Sequence, residues 1–117
     1  MDDAVGTLLE CLKSKRYIAD TKKARAEVIT EKVKLRKKED LFIRDALAGR
    51  GNILKEDLKE HYYVTSVKMG RTGNVLTYAL IWRMEEDEAT MAVYAHEGLI
   101  KQHLAEKTME KLKEYLC

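Results

Sequence analysis

The stretch HYYVTSVKMGRTGNVLTYALIWRMEEDEATMAVYAH, residues 61–96, decides the fold. Residues 61–69 and 74–84 are rich in Val, Ile, Thr and Tyr. Between them, Gly70-Arg71-Thr72-Gly73 supplies glycine where a short hairpin needs a positive φ. Four consecutive acids, Glu85-Glu86-Asp87-Glu88, are poor strand formers that belong in a solvated turn, and a third β-rich run over residues 89–95 follows them. The expectation is a three-stranded antiparallel meander. Pairing Met69 with Asn74, and Met84 with Ala89, puts Tyr63, Thr65, Val67 and Met69 on a core face with Leu76, Tyr78, Leu80, Trp82, Met84, Met91 and Val93. Tyr62, Val64, Lys68, Arg83, Tyr94 and His96 then share a second face of mixed polarity.

Helical patterns flank this meander. Val5, Leu8, Leu9 and Leu12 follow an i, i+3, i+4, i+7 spacing, so residues 3–14 read as a short amphipathic helix. Residues 98–116 read as another, with Ile100, Leu104, Ala105, Thr108, Met109, Leu112, Tyr115 and Leu116 on the side that covers the core face. Residues 20–48 contain neither Gly nor Pro and are expected as one long helix ended by Gly49-Arg50-Gly51-Asn52, although Lys32, Arg36 and Glu39 break its apolar stripe. The alternative is a strand over residues 27–35, on the strength of Val28, Ile29, Thr30 and Val33, with a helix only from Glu39. Residues 53–60 leave room for a further helical turn or two. The fold expected is α+β: N-terminal helices, the three-stranded meander, and a C-terminal helix packed on one sheet face, in a single domain over residues 1–117.

Composition narrows the setting. A 45% share of hydrophobic residues with 36% charged describes a folded, highly charged chain. The acidic start Met1-Asp2-Asp3 is unlike a basic leader, and no apolar run approaches a membrane span, so a cytoplasmic protein without membrane contact is expected. Cys11 and Cys117 make neither a disulfide framework nor a metal-ligand spacing and are expected as free thiols, Cys11 within the core. The three histidines, His61, His96 and His103, form no paired metal motif, and neither a metal nor a cofactor is expected.

Charge is unevenly distributed. The overall balance is only +2, yet residues 21–38 hold eight bases, Lys22, Lys23, Arg25, Lys32, Lys34, Arg36, Lys37 and Lys38, against two acids. That segment carries +6 and the remainder −4. Concentrated cations on an acidic body suit a phosphate-tracking surface, which Lys68 and Arg71 at the hairpin would extend toward DNA or RNA. The plain alternative is a solvated helix face. On the mixed face, Tyr94 and His96 with Lys68 and Arg83 supply an acid or base and cations for a phosphate, the ingredients of metal-free RNA cleavage.

The layout of residues 62–116, three strands leading to a helix that ends Glu110-Lys111-Leu112-Lys113-Glu114-Tyr115-Leu116, loosely resembles the RelE/ParE-type toxins, especially the HigB branch. The resemblance covers about half of the chain. The family's opening strand is missing from this reading, and the basic pairs before its last helix are represented only by Lys101. It implies a ribonuclease, for which Arg83, Tyr94 and His96 are the residues to carry catalysis. The functional expectation is a non-enzymatic binding protein, a homodimeric interaction module or one with a protein partner, with nucleic-acid binding through residues 21–38 and 68–71. A RelE/HigB-like metal-independent ribonuclease is the alternative.

Overall fold

The computed structural model describes residues 4–17, 26–37, 39–70, 75–96 and 103–117. Its order is α1 (Ala4–Ser14), β1 (Ala26–Lys34), α2 (Asp40–Ala48), β2 (Ile53–Asp57), β3 (Tyr62–Met69), β4 (Val75–Arg83), β5 (Glu88–His96) and α3 (Leu104–Leu116). The five strands form one antiparallel sheet in the order β1-β5-β4-β3-β2. The meander of β3, β4 and β5 is present, but the architecture expected from sequence needs correction: it is a five-stranded sheet with three helices, not N-terminal helices followed by a three-stranded sheet.

The long helix expected over residues 20–48 is overturned by β1, which pairs with β5 from Ala26↔His96 to Lys34↔Glu88. The physical reason is that a run of β-branched residues gains a full ladder of backbone hydrogen bonds and places Val28 on one sheet face and Ile29 and Val33 on the other. Lys32, which interrupts a helical stripe, falls on an exposed position of that strand. The alternative reading, a strand with a helix beginning only near Glu39, matches β1 and α2. The part of the expected helix before Ala26 lies outside the described residues. Residues 53–57 are likewise a strand, not a helical turn, because they pair with β3.

Helices cover both faces of the sheet. On one, Ala4, Leu8, Cys11 and Leu12 of α1 pack on Tyr62, Val64, Leu80, Trp82, Ala92 and Tyr94. On the other, Ile43 and Leu47 of α2 and Leu104, Ala105, Met109, Leu112 and Leu116 of α3 pack on Tyr63, Val67, Ala79, Ile81, Met91 and Val93. A buried hydroxyl pair, Thr77 Oγ1 to Thr108 Oγ1 at 2.9 Å, ties β4 to α3, and Thr108 also donates to the Leu104 carbonyl at 2.7 Å. Of the residues expected on the apolar side of the last helix, Ile100 lies outside the described residues and Tyr115 is half-buried, stacked under the Arg50 guanidinium 3.5 Å away.

The hairpin register differs by one residue from expectation. Met69 pairs with Val75 and Arg83 with Ala89. A one-residue slip reverses every side chain of a strand. In β4 it is therefore Ala79 and Ile81, not Leu80 and Trp82, that share a face with Tyr63. The second turn is shifted as well, so the two shifts cancel and β5 keeps Met91 and Val93 beside Tyr63.

Tyr63 links the sheet to α2. Fully buried, it donates its hydroxyl to Asp40 Oδ1 at 2.6 Å, and burial, reinforced by that carboxylate, raises its pKa far above that of an exposed tyrosine. Burial also raises the pKa of Tyr94. Both phenols are held neutral more firmly in the folded state than in the unfolded chain, whose tyrosines titrate near 10.0. Their contribution to stability is complete below that pH and is lost above it. Urea unfolding followed upward from pH 9 should show stability falling above pH 10, by at most about 1.4 kcal/mol per pH unit for each tyrosine, and Tyr63→Phe should lessen the slope. A stability independent of pH up to 11.5 would contradict the placement of both rings.

Candidate functional site

The α1 side of the sheet carries an unusual concentration of polar groups at one end. A cross-strand row, Lys32↔Thr90↔Trp82↔Tyr62↔Asp57, runs through all five strands there. At its centre the Trp82 and Tyr62 rings lie 5.2 Å apart in a tilted arrangement, and the Lys55 ammonium stands 5.4 Å from the Tyr62 ring. A hydrogen bond with the Tyr62 side chain, opposed by a smaller burial effect, raises the pKa of Lys55.

Trp82 lines two clefts. The first, about 400 Å³, lies between the end of α1 and β2, with Glu10, Cys11, Lys55 and Asp57 around the ring pair. Burial raises the pKa of the Cys11 thiol, which keeps it protonated and a poor nucleophile. The second, about 530 Å³, is lined by Lys32, Lys59, Glu60, His61, Trp82 and Arg83, but the register turns the Arg83 side chain to the side of Ala89 and Val33, away from Trp82 and Lys32. A third, about 500 Å³, adjoins it at Lys32 and contains Lys34, Glu85 and Glu88.

Backbone geometry pairs His61 with Arg83. His61 adopts a left-handed φ of 63°, which turns the chain from β2 into β3. Its carbonyl accepts the Arg83 backbone N–H at 2.9 Å, and its ring Nδ1 lies 2.9 Å from Arg83 Nη2. A guanidinium only donates, so Nδ1 accepts, and in this arrangement the imidazole is neutral with its hydrogen on Nε2. Arg83 Nε is buried and has no hydrogen-bond partner among the described residues.

The residues singled out from sequence are dispersed. Lys22, Lys23, Arg25, Lys38 and Arg71 lie outside the described residues. Lys32 and Lys34 are exposed on the α1 side of β1, and Arg36 and Lys37 are exposed just beyond the strand. Arg36 donates to the Glu114 carbonyl at 3.1 Å, and Lys34 is 3.8 Å from Asp87. Lys68 is exposed at the other end of the sheet, six residues along β3 from the row holding Lys32, or about 20 Å. It does not extend the Lys32 and Lys34 surface.

Arg83, Tyr94 and His96 are not brought together. Tyr94 is buried beneath α1 and faces Tyr78, five residues along β4 from Arg83, about 17 Å away. His96 is exposed still further along, opposite Ala26. Sequence reasoning missed Lys55, Lys59 and His61 as site residues. Lys59 and His61 flank a turn read as helical, and no periodicity marks them; only the pairing of β2 with β3 brings them beside Trp82. Among the described residues, no group of three or more His, Cys, Asp or Glu side chains could hold a metal ion, and no helix is long and apolar enough to cross a membrane.

The class this architecture defines is an α+β domain in which helices sandwich a five-stranded antiparallel sheet. No family model, curated protein or solved structure matches the chain.

Proposed function

We propose that this chain is a non-enzymatic binding domain that takes a nucleic acid by its phosphates along the β1 side of the sheet. The observation that supports this reading is how the period of two sorts charge in β1. Lys32 and Lys34 stand exposed on the α1 side, whereas Glu31 on the opposite side is joined to Lys113 of α3 at 2.9 Å. A segment of mixed sign therefore presents Lys32 and Lys34 to the α1 side, whereas Arg36 and Lys37 turn to the other, at the Glu114 carbonyl of α3 and the Phe42 ring of α2.

Binding of a fluorescein-labelled single-stranded 20-mer, followed by anisotropy, should weaken with salt at a log–log slope of at least about −1.4, the value for two phosphates engaged by Lys32 and Lys34. Lys32→Glu with Lys34→Glu should lower the slope by about 1.4 and weaken binding severalfold. Binding that is absent, or indifferent to salt, would remove this reading.

A second reading, homodimerisation through β1, is favoured by that strand's position at the sheet edge, where its outer side has no partner strand among the described residues. Light scattering at about 100 µM should then give the mass of two chains; a monomer would exclude any association stronger than about 6 kcal/mol.

A further inference from the structure

The two edges of the sheet differ. Sheet edges are commonly guarded by short strands, bulges or lysines. β2 is short and irregular: it spans five residues, and its register shifts between Ile53 and Lys55. β1 has nine residues and keeps one register with β5 throughout. Leu35 N–H donates to the Asp87 carbonyl, which continues that register by one pair. Bonded pairs alternate in an antiparallel ladder, so the odd-numbered residues of β1 turn their backbone groups to β5. Val28, Thr30, Lys32 and Lys34 turn theirs outward, where no partner strand meets them among the described residues. The lysines of β1 stand only toward its C-terminal end, and residues 26–30 contain no base.

We propose that β1 pairs with β1 of a second copy, antiparallel about Thr30, so that the two sheets become one. The proposal rests on the edge reading above and adds the register. Pairing about Thr30 overlaps the whole strand and joins the outward groups to one another, Thr30 to Thr30 and Val28 to Lys32. Thr30 is exposed, and a threonine pair across strands is favourable. The register opposes no like charges: Glu31 meets Ile29, and Glu27 meets Val33. The Lys32 residues of the two copies stand about 14 Å apart, beyond the screening length at physiological salt. The smallest shift that keeps faces and outward groups matched is two residues. In one direction it sets Glu31 against Glu31, and in the other Glu27 against Glu31, both unfavourable. Both α1 sides then face the same way, so each copy adds its Lys32 and Lys34 to one surface.

The test combines disulfide cross-linking with light scattering. In a Cys117→Ser background, where the buried Cys11 is the one native thiol left, Thr30→Cys should give a disulfide-linked dimer on mild oxidation. Lys32→Cys should not, because its two sulfurs would be separated by about 14 Å, beyond the reach of a disulfide. Thr30→Pro removes an outward N–H and no bond to β5, a place where an edge strand tolerates proline. At about 100 µM it should scatter as a monomer where the unaltered chain scatters as a dimer, with circular dichroism and Trp82 emission unchanged. Should Thr30→Pro fail to fold, the cross-linking pair decides alone. An unaltered chain that is monomeric would overturn the proposal and the edge reading together. A dimer that Thr30→Pro dissolves, but that is bridged in Lys32→Cys and not in Thr30→Cys, would overturn the register and leave the edge reading standing. A dimer that persists in Thr30→Pro and is not bridged in Thr30→Cys would overturn both.

Discussion

Gly51→Ala is expected to lower the unfolding free energy by about 3 kcal/mol or more, and the melting temperature by at least about 10 °C for a chain of this size. A Cβ on Gly51 would lie 1.8 Å from the Ser66 carbonyl oxygen and 2.6 Å from its carbon, and since both are backbone atoms of β3, the chain itself must move. The contacts at stake extend the β2–β3 ladder beyond its bulge. Ser66 N–H donates to the Asn52 carbonyl and Lys68 N–H to the Arg50 carbonyl, each at 2.9 Å, and Asn52 N–H donates to Ser66 Oγ at 3.0 Å. Each such bond contributes about 1 kcal/mol, and forcing extra volume into a closed contact costs about 1–3 kcal/mol more. Gly49→Ala is the matched control. Its added Cβ would meet only the Asp45 carbonyl, at 3.9 Å, and its φ of −78° suits any residue, so its effect should stay within about 0.5 kcal/mol. Thermal melts of the two variants decide the matter, and equal melting temperatures would show that residues 50–52 do not run against β3 in this way.

Leu12→Ala should cost about 3 kcal/mol, within the usual range for a fully buried leucine whose site collapses only in part. Leu12 and Leu8 are wholly buried and carry α1 onto Tyr62, Val64, Leu80 and Ala92. The chain holds a single tryptophan, Trp82, which is 7% exposed and belongs to the same cluster. Its fluorescence therefore reports the docking of α1. In chemical unfolding, the Trp82 emission shift and the loss of circular dichroism should move together to lower denaturant in Leu12→Ala. An emission shift that precedes the loss of secondary structure would mean that α1 detaches on its own and is not integral to the cooperative unit. Leu9, only half-buried, serves as comparison and should cost markedly less when truncated.

The same packing explains how much could be read beforehand. The strand character of β3, β4 and β5 and the helical character of α1 and α3 are written locally, in β-branched runs, turn glycine and helical spacing of Leu8, Leu12, Leu104 and Leu112. Register was not legible. Because helices cover both sides of the sheet, residues 62–67 are buried without interruption, and the alternation that distinguishes one face from the other is absent. Leu80 and Ile81 are equally apolar, so either parity satisfies the sequence, and only the paired backbone selects Ile81 to face Tyr63.

The basic segment shows the same division. Its charge is plain in Lys32, Lys34, Arg36 and Lys37, but whether those cations encircle a helix or divide between the two sides of a sheet depends on pairing with β5, a partner more than fifty residues away in the chain. The cleft around Trp82 is more distant still from local reading, since Lys32, Lys59 and His61 come from an edge strand and a turn. The glycine pattern at residues 49–51 was legible as a chain break, yet Gly51 is required for its contact with Ser66, which no neighbour in sequence announces. By itself, then, the sequence determined which segments of the meander are strands, where the first and last helices lie, and where positive charge collects, because those follow from local propensity and composition. The tertiary structure alone decided that residues 26–34 are a strand, which way β4 faces, and which cations share a cleft, because hydrogen-bond ladders and burial on two faces join residues far apart in the chain.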